Sequence, residues 1–177
     1  MVDAGRLPLN RGPVDLIELA RDTLERHSLR LAQAGIETHF EARVAGLLID
    51  ADKDRLRQVL SNLIENVLRH ARIGGWLELG VERGTDGGAT EMAVVTVSDA
   101  GPGLPGHGPP QAEVAQPPGG QRPGARSAGG SGLGLTIVAM LVARHGGQIT
   151  SDTSARGGTR VSIRLPISGC RVEGVEV

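Results

Sequence analysis

Residues 62–71 read NLIENVLRHA and lie within a longer stretch, 52–72, whose apolar side chains recur at helical spacing. This stretch predicts an amphipathic helix with Asp52 as its N-cap. Asn62 and Asn66 are four residues apart, so both amides lie on one polar stripe, opposite the apolar face. The same stripe carries Arg55, Gln58 and Arg69. Asn is a mediocre helix former, so this pair indicates either a solvated face or a binding role.

Residues 99–103 read DAGPG and follow 92–97, an apolar and β-branched run that predicts a buried strand. An Asp at a strand end often only stabilises a turn. The alternative is that the Asp99 carboxylate, which can only accept hydrogen bonds, receives the amino group of adenine. Gly101 and Gly103 would then let the backbone approach the base closely.

Residues 130–135 read GSGLGL and open a predicted helix over 136–145, which Gly146 and Gly147 end. A glycine-rich helix start presents bare backbone N–H groups and the positive end of the dipole, which suits phosphate. The segment is not a Walker loop, because no Lys-Ser or Lys-Thr follows it, and its glycine spacing is not that of a dinucleotide fingerprint. A hinge without ligand is the alternative.

Together the three segments resemble the motifs of the ATP-binding domain of bacterial sensor histidine kinases. This domain (HATPase_c, with the Bergerat fold) belongs to a wider superfamily that also holds gyrase, a heat-shock chaperone and the MutL ATPase. NLIENVLRHA resembles the N box, DAGPG the first glycine box and GGSGLGL the second. The run Gly157, Gly158 and Thr159 resembles the terminal glycine-threonine element. The resemblance covers about residues 10–167.

The resemblance implies an α+β fold: a two-layer α/β sandwich with a mixed, mainly antiparallel sheet packed on three helices. The pattern along the chain agrees, with a helix over 14–34 and strands in the ranges 37–42, 47–50, 76–82, 92–97, 148–152 and 159–165. We expect 76–82 to pair with 92–97 around a turn at 84–88, and the last two strands to form a hairpin. The expected organisation is an extension over 1–9, one catalytic domain over 10–167 and a tail over 168–177.

Residues 104–129 are dense in Gly and Pro and hold almost no large apolar side chain, so they cannot pack a core. Composition alone would make them a disordered connector. Their place between the glycine boxes resembles the family's flexible ATP lid, which orders on nucleotide binding. The resemblance implies that Arg126 reaches the phosphates, while we interpret Arg122 as a solvated charge. The aromatic element often found in this lid is missing, which leaves its docking to a partner open.

The resemblance also implies roles for individual residues in binding ATP and Mg²⁺. Asn66 supplies an amide oxygen to Mg²⁺, which prefers oxygen ligands, and Asn62 supports that ion or a phosphate through water. Arg69 matches a basic position that contacts phosphate. The predicted catalytic residues are therefore Asn62, Asn66 and Arg69. The predicted nucleotide-binding residues are these three with His70, Asp99, Gly101, Gly103, Arg126, Gly130, Ser131, Gly132, Leu133, Gly134, Leu135 and Thr159.

Two ionisable side chains near Asn62 and Asn66, those of His70 and Glu65, can be interpreted without a role in binding. For His70, a partly buried structural role is as well supported as phosphate contact. Glu65 neighbours Asn66 but lies at the edge of the stripe, so we interpret it as a solvated charge.

The amide side chain of Asn62 indicates which group accepts the phosphoryl group of ATP. Hydrolysing members of the superfamily, and its serine kinases, carry a Glu base one turn before the metal-binding Asn. An amide cannot take a proton from water or from a serine hydroxyl, whereas a phospho-accepting imidazole already offers a lone pair. Histidine phosphorylation is therefore favoured over an ATPase or a serine kinase. An ATP-binding scaffold or sensor without transfer is the remaining alternative.

The acceptor histidine of the family is not recognised in these residues. His27 is the nearest match, but no Pro follows it and it lies too close to Asn62 for a second dimerisation helix to intervene. We interpret His27, His39, His107 and His145 as structural or solvated. The expected partner is a histidine-bearing dimerisation or phosphotransfer domain or protein, and indirectly a response regulator. A natural split kinase and an excised domain are both consistent with this sequence.

Composition sets further bounds. Of 177 residues, 19 are basic and 20 acidic with no basic run, which argues against a nucleic-acid partner. The single Cys170 excludes an internal disulfide and fits a reducing compartment. No apolar run is long enough to span a membrane. We expect a cytoplasmic protein that reaches the inner membrane only through a partner.

Overall fold

The computed structural model describes residues 8–70, 75–100, 133–154 and 158–167. In these ranges the helices are α1 (Leu16–Gln33), α2 (Lys53–His70) and α3 (Leu133–Arg144). The strands are β1 (Gly12–Asp15), β2 (Glu37–Ala42), β3 (Leu48–Ala51), β4 (Trp76–Thr85), β5 (Glu91–Asp99), β6 (Gln148–Thr153) and β7 (Thr159–Pro166).

Five strands form the main sheet in the order β2-β4-β5-β7-β6. β2 runs parallel to β4, and the other neighbours are antiparallel, so the sheet is mixed and mainly antiparallel as predicted. Both predicted pairings, β4 with β5 and β6 with β7, are confirmed. β2 and β6 form the edges, and α2 lies in the crossover between the parallel strands β2 and β4, a connection that a two-residue turn cannot make.

The core lies between one face of this sheet and the three helices. Along β4, the buried Leu77, Leu79 and Val81 alternate with residues of the opposite face, which is the period of a strand. From the helices, the apolar stripes of α1 and α2 and the buried Val138, Leu141 and Val142 of α3 meet them. Each fully buried Leu or Val stabilises the fold by about 1.5–3 kcal/mol relative to exposure. The predicted two-layer arrangement is confirmed.

The start of α1 differs from the prediction, which placed Val14 in the helix. Val14 belongs instead to β1, which pairs antiparallel with β3 in a separate two-stranded sheet. Asp15 is the N-cap, and its carboxylate accepts from the amides of Ile17 at 2.9 Å and Glu18 at 3.2 Å. The helix begins after this cap because Asp15 has extended backbone geometry.

Other helix ends agree with the sequence to within a few residues. The Asp52 carboxylate accepts from the amide of Arg55 at 3.1 Å, so the predicted cap of α2 is confirmed. α3 begins at Leu133, three residues before the predicted start. It ends at Arg144, where Gly146 has a φ of 75°, a conformation that glycine adopts without steric cost.

Two strands are longer than predicted. β4 continues to Thr85, so Gly84 belongs to the strand and not to the turn, and β5 continues to Asp99. The register explains the extension, because the antiparallel pairs run without a break from Leu77 with Asp99 to Thr85 with Glu91. No helix among the described residues has the length and apolar character needed to cross a membrane.

Candidate functional site

The middle of α2 carries the two carboxamides one turn apart. Both side chains are half-buried. The Asn62 Nδ2 atom is buried and has no hydrogen-bond partner among the described residues. A buried donor without an acceptor costs free energy, so this amide group is suited to an incoming acceptor oxygen.

The polar stripe of α2 extends to both sides of this pair. Towards the N-terminus, Arg55 donates to the Gln58 side chain at 3.2 Å. Towards the C-terminus, Arg69 and His70 are exposed in the last turn. The partly buried structural role considered for His70 is wrong, because its side chain lies at the surface at the end of the helix.

Glu65 has a partner that the sequence did not indicate. Its carboxylate lies 3.3 Å from the guanidinium group of Arg30 on α1. Both side chains are exposed, so the pair is a surface contact between two helices. Glu65 is therefore directed along the α1 side of α2.

Asp99 is the last residue of β5 and faces the helix layer, because it is the register partner of the buried Leu77. Its Oδ1 atom accepts from the backbone amide of Thr159 at 3.4 Å. The backbone carbonyl of Asp99 also fills the space where a β-carbon on Gly158 would stand. Two of the sequence-predicted site elements, 60 residues apart, are thus in contact.

The described part of the second glycine box begins the helix α3. Leu133, Gly134 and Leu135 occupy its first turn, and Leu135 is 37% exposed. Among the described residues, no atom outside its own helix and its chain neighbours lies within 4 Å of a β-carbon built on Gly134. The predictions for the lid at 104–129 and for Gly101, Gly103, Arg126, Gly130, Ser131 and Gly132 lie outside the described residues.

The start of α2 is joined to the end of α3 through His145 and is also held by Asn10, residues for which the sequence predicted no specific role. His145 is 2% exposed, and its Nε2 atom lies 3.1 Å from the backbone nitrogen of Asp52. Asn10 donates its backbone N–H to the Asp52 carboxylate at 2.9 Å. The cap signal of Asp52 was visible in the sequence, but its partners 42 and 93 residues away were not.

The pKa of the buried Asp52 carboxyl group is also shifted. Burial acts to raise the pKa of this group, but hydrogen bonds from the backbone amides of Arg55, Asn10 and Asp54 outweigh it and lower the pKa. The group is therefore held as a carboxylate at the start of α2.

The described residues offer Mg²⁺ an amide oxygen but no cluster of acidic side chains. No cluster of three or more His, Cys, Asp or Glu side chains suited to a metal occurs in the described ranges. The Asn66 amide oxygen is a suitable ligand for a cation that keeps several waters and binds substrate phosphates. The residues present therefore fit Mg²⁺ that arrives with a nucleotide.

A shallow groove on the opposite face of the sheet has different chemistry. It is lined by Glu78 and Arg160 among others. At its rim Arg43 pairs with Glu41 and Glu82, each at 3.2 Å. The groove contains none of the sequence-predicted site residues, so the candidate site remains on the helix side.

This chain is similar in sequence to known histidine kinases. A family model described as histidine kinase-, DNA gyrase B-, and HSP90-like ATPase matches residues 51–169. The signal transduction histidine-protein kinase BaeS of Escherichia coli K12 is 32% identical over 94% of this chain and 34% of its own length. The probable sensor histidine kinase TcrY of Mycobacterium tuberculosis is 34% identical over 95% of this chain and 33% of its own length.

A similar solved structure is that of full-length ShkA in complex with AMPPNP. It is 28% identical, with a TM-score of 0.70, over 93% of this chain and 32% of that one. The chain thus spans about a third of the length of each of these three relatives.

Proposed function

This chain belongs to the family of histidine kinase-, DNA gyrase B- and HSP90-like ATPases, and we propose that it transfers the γ-phosphate of ATP to a histidine on a separate dimerisation domain or protein. Its fold and relatives identify an ATP-binding catalytic domain of the histidine kinase type. The acceptor, the use of Mg²⁺ and the roles of single residues are parts of the proposal.

The contact between Asp99 and the Gly158–Thr159 turn carries the proposal. It places a carboxylate at the helix-facing end of β5, with one oxygen 3.4 Å from the Thr159 amide. A carboxylate only accepts hydrogen bonds and has about four acceptor positions, so the Asp99 side chain has the chemistry needed to receive the amino group of adenine. The complex of ShkA with AMPPNP, an adenine nucleotide analogue, supports an adenine ligand for this fold.

The carboxamides of α2 are proposed to hold the other end of the nucleotide. The buried Nδ2 atom of Asn62 would donate to a phosphate oxygen or to a water on it, and Asn66 would offer its oxygen to Mg²⁺. When bound, Mg²⁺ neutralises phosphate charge during transfer. Arg69 and His70, exposed in the last turn of α2, would contact the phosphates, together with the backbone of Gly134 and Leu135.

The described residues of α2 favour a histidine acceptor. Asn62 cannot act as a base, and the carboxylate of Glu65 is engaged with Arg30 at 3.3 Å. A neutral imidazole attacks through its own lone pair and does not need that base. Three of the described histidines have other contacts: His27 with the Thr23 carbonyl, His39 with Glu37 and His145 with Leu141 and Asp52.

We therefore propose an acceptor in trans and, through it, a response regulator as the indirect partner. The proposal includes the cytoplasmic compartment that the single Cys170 fits, with recruitment to the inner membrane through the partner. It also includes the division of the chain into 1–9, 10–167 and 168–177.

Phosphotransfer can be tested with γ-labelled ATP, Mg²⁺ and a purified dimerisation domain that carries an acceptor histidine. We expect label on the acceptor that is lost in acid and kept in base, and no label on a variant with Ala in place of that histidine. Nucleotide binding in calorimetry without any transfer to a panel of such domains would instead support an ATP-binding scaffold. Release of inorganic phosphate without an acceptor would support an ATPase.

A further inference from the structure

The contacts of His145 suggest a role beyond stability. We propose that His145 is a positioning residue for nucleotide binding, which fixes α3 against α2 so that the residues at their other ends are correctly spaced. This inference rests on the proposed nucleotide site.

The two ring nitrogens of His145 have assigned partners of opposite kinds. Nδ1 lies 2.7 Å from the carbonyl oxygen of Leu141, which can only accept, so Nδ1 carries the hydrogen. Nε2 lies 3.1 Å from the backbone nitrogen of Asp52, which can only donate, so Nε2 accepts through its lone pair. The ring is 2% exposed, so water cannot easily replace either partner.

Asp52 is a fixed point for this contact. Its carboxylate accepts from the amides of Arg55 at 3.1 Å and Asn10 at 2.9 Å, so the start of α2 is held on both sides. Arg11 strengthens the same junction, because it donates to the carbonyl oxygens of Arg144 at 3.1 Å and Asp50 at 3.4 Å. The C-terminal end of α3 is thereby tied to the N-terminal end of α2.

The two helices pack side by side and run antiparallel from this junction, because the start of α2 lies at the end of α3. The proposed ligands lie farther along both helices: Asn62 and Asn66 on α2, and the first turn of α3 at Leu133–Leu135. At 1.5 Å per residue these positions are roughly 15–20 Å from the junction. A tilt or shift of α3 about the junction would therefore change the spacing between the carboxamides and the phosphate-binding turn.

Three substitutions of His145 separate positioning from packing. His145→Gln keeps an amide oxygen with the reach of Nε2, whereas His145→Asn has the same chemistry but is one methylene too short to reach Asp52. His145→Leu removes both hydrogen bonds. Thr23→Val is the matched control, because the buried Thr23 hydroxyl donates to Leu19 at 2.7 Å within α1, away from the nucleotide residues.

The measurements are the Tm of each protein and the Kd for AMPPNP with Mg²⁺, taken at a temperature where each is folded by circular dichroism. We expect a Kd raised about tenfold in His145→Asn and His145→Leu, within about threefold of wild type in His145→Gln, and unchanged in Thr23→Val despite a lower Tm. Equal Kd values for the Asn and Gln variants would overturn the positioning role, even if the Leu variant does not fold.

The wild-type result separates this inference from the proposed function. If the wild-type protein binds AMPPNP but the Asn and Gln variants do not differ, only the positioning role is wrong. If the wild-type protein does not bind AMPPNP, the nucleotide site and the positioning role are both wrong.

Discussion

The backbone carbonyl of Asp99 occupies the space that a β-carbon on Gly158 would need, and Gly158 has a φ of 103°. These two facts restrict residue 158 to glycine. Any other residue would place its β-carbon against the backbone of Asp99 and would have to hold its own backbone at a positive φ. The turn from Gly158 to Thr159 can therefore approach β5 closely enough for the Thr159 amide to reach the Asp99 carboxylate.

Gly158→Ala should lower the free energy of unfolding by at least about 1–2 kcal/mol, the cost of the left-handed backbone alone. It should also weaken ATP-analogue binding, because β7 must move away from Asp99. Urea unfolding and calorimetry measure the two effects. Gly46→Ala is the matched control, because no described residue other than its chain neighbours lies within 4 Å of the added carbon. Wild-type stability for Gly158→Ala would contradict the geometry.

Asp99→Asn should raise the Kd for an ATP analogue by about 10- to 100-fold, because half of the carboxylate acceptor capacity becomes a donor facing the adenine amino group. Binding of a GTP analogue should stay equally poor. Calorimetry with both analogues tests this, and Asp152→Asn, at an exposed carboxylate on β6, controls for the lost charge. An unaltered preference for ATP would show that Asp99 does not read the base.

Asn66→Asp should change the Mg²⁺ concentration at which nucleotide binding is half-maximal by several-fold, because a charged ligand replaces a neutral one beside the phosphates. A Mg²⁺ titration at fixed nucleotide measures it. Gln58→Glu adds the same charge to an exposed position on the same stripe of α2. If both variants shift the titration equally, Asn66 is not a metal ligand.

Glu65→Gln should leave the phosphotransfer rate within about twofold of wild type, because its carboxylate is directed to Arg30 at 3.3 Å. Stability should change by only about 0–1 kcal/mol, the usual contribution of an exposed ion pair. Arg30→Gln removes the same pair from the other side and should match it. A rate reduced tenfold or more by the Glu65 change alone would indicate that Glu65 acts as a base.

Asp52→Asn should make the free energy of unfolding less dependent on pH under acid conditions. The pKa of the Asp52 carboxyl group is lowered in the folded state from an unfolded value near 4, so its stabilisation is present above about pH 4 and is lost as the pH falls below it. Asn can accept only one of the two backbone N–H groups that the Asp52 carboxylate receives, so the variant loses one hydrogen bond together with the charge and should cost about 1–3 kcal/mol at neutral pH.

Urea unfolding of wild type and the Asn variant between pH 3 and pH 7 measures this difference. It should be nearly constant from pH 5 to pH 7 and shrink towards pH 3. Asp54→Asn is the control, since its side chain is 90% exposed. A difference that does not depend on pH would mean that the charge of Asp52 contributes nothing to folding.

The sequence predicted the elements whose signals are local. β2 has the predicted bounds, Glu37–Ala42, and α2 begins after the expected cap. β1 was missed because Gly12 and Pro13 are unfavourable in strands, and its pairing with β3 supplies the missing stability. The Asp15 cap of α1 was readable, since Asp15 precedes Glu18 by three residues, but the apolar Val14 obscured it.

The contacts of the candidate site were less accessible to prediction. The residue types of the carboxamide pair and of Asp99 were visible, and so was their order. The contacts of Thr159 with Asp99, Arg30 with Glu65 and His145 with Asp52 span 60, 35 and 93 residues. Such contacts depend on how the helices and strands pack, and no local pattern in the chain encodes them.

The edge strand β2 carries a barrier against unwanted assembly. An open strand edge can recruit another copy of itself, the route by which many β-rich proteins aggregate. Two β2 strands paired antiparallel around His39 would set Glu37 of each copy opposite Glu41 of the other. Both carboxylates are well exposed, and like charges directly opposite repel, so this symmetric pairing of two β2 edges is opposed by the sequence of the strand itself.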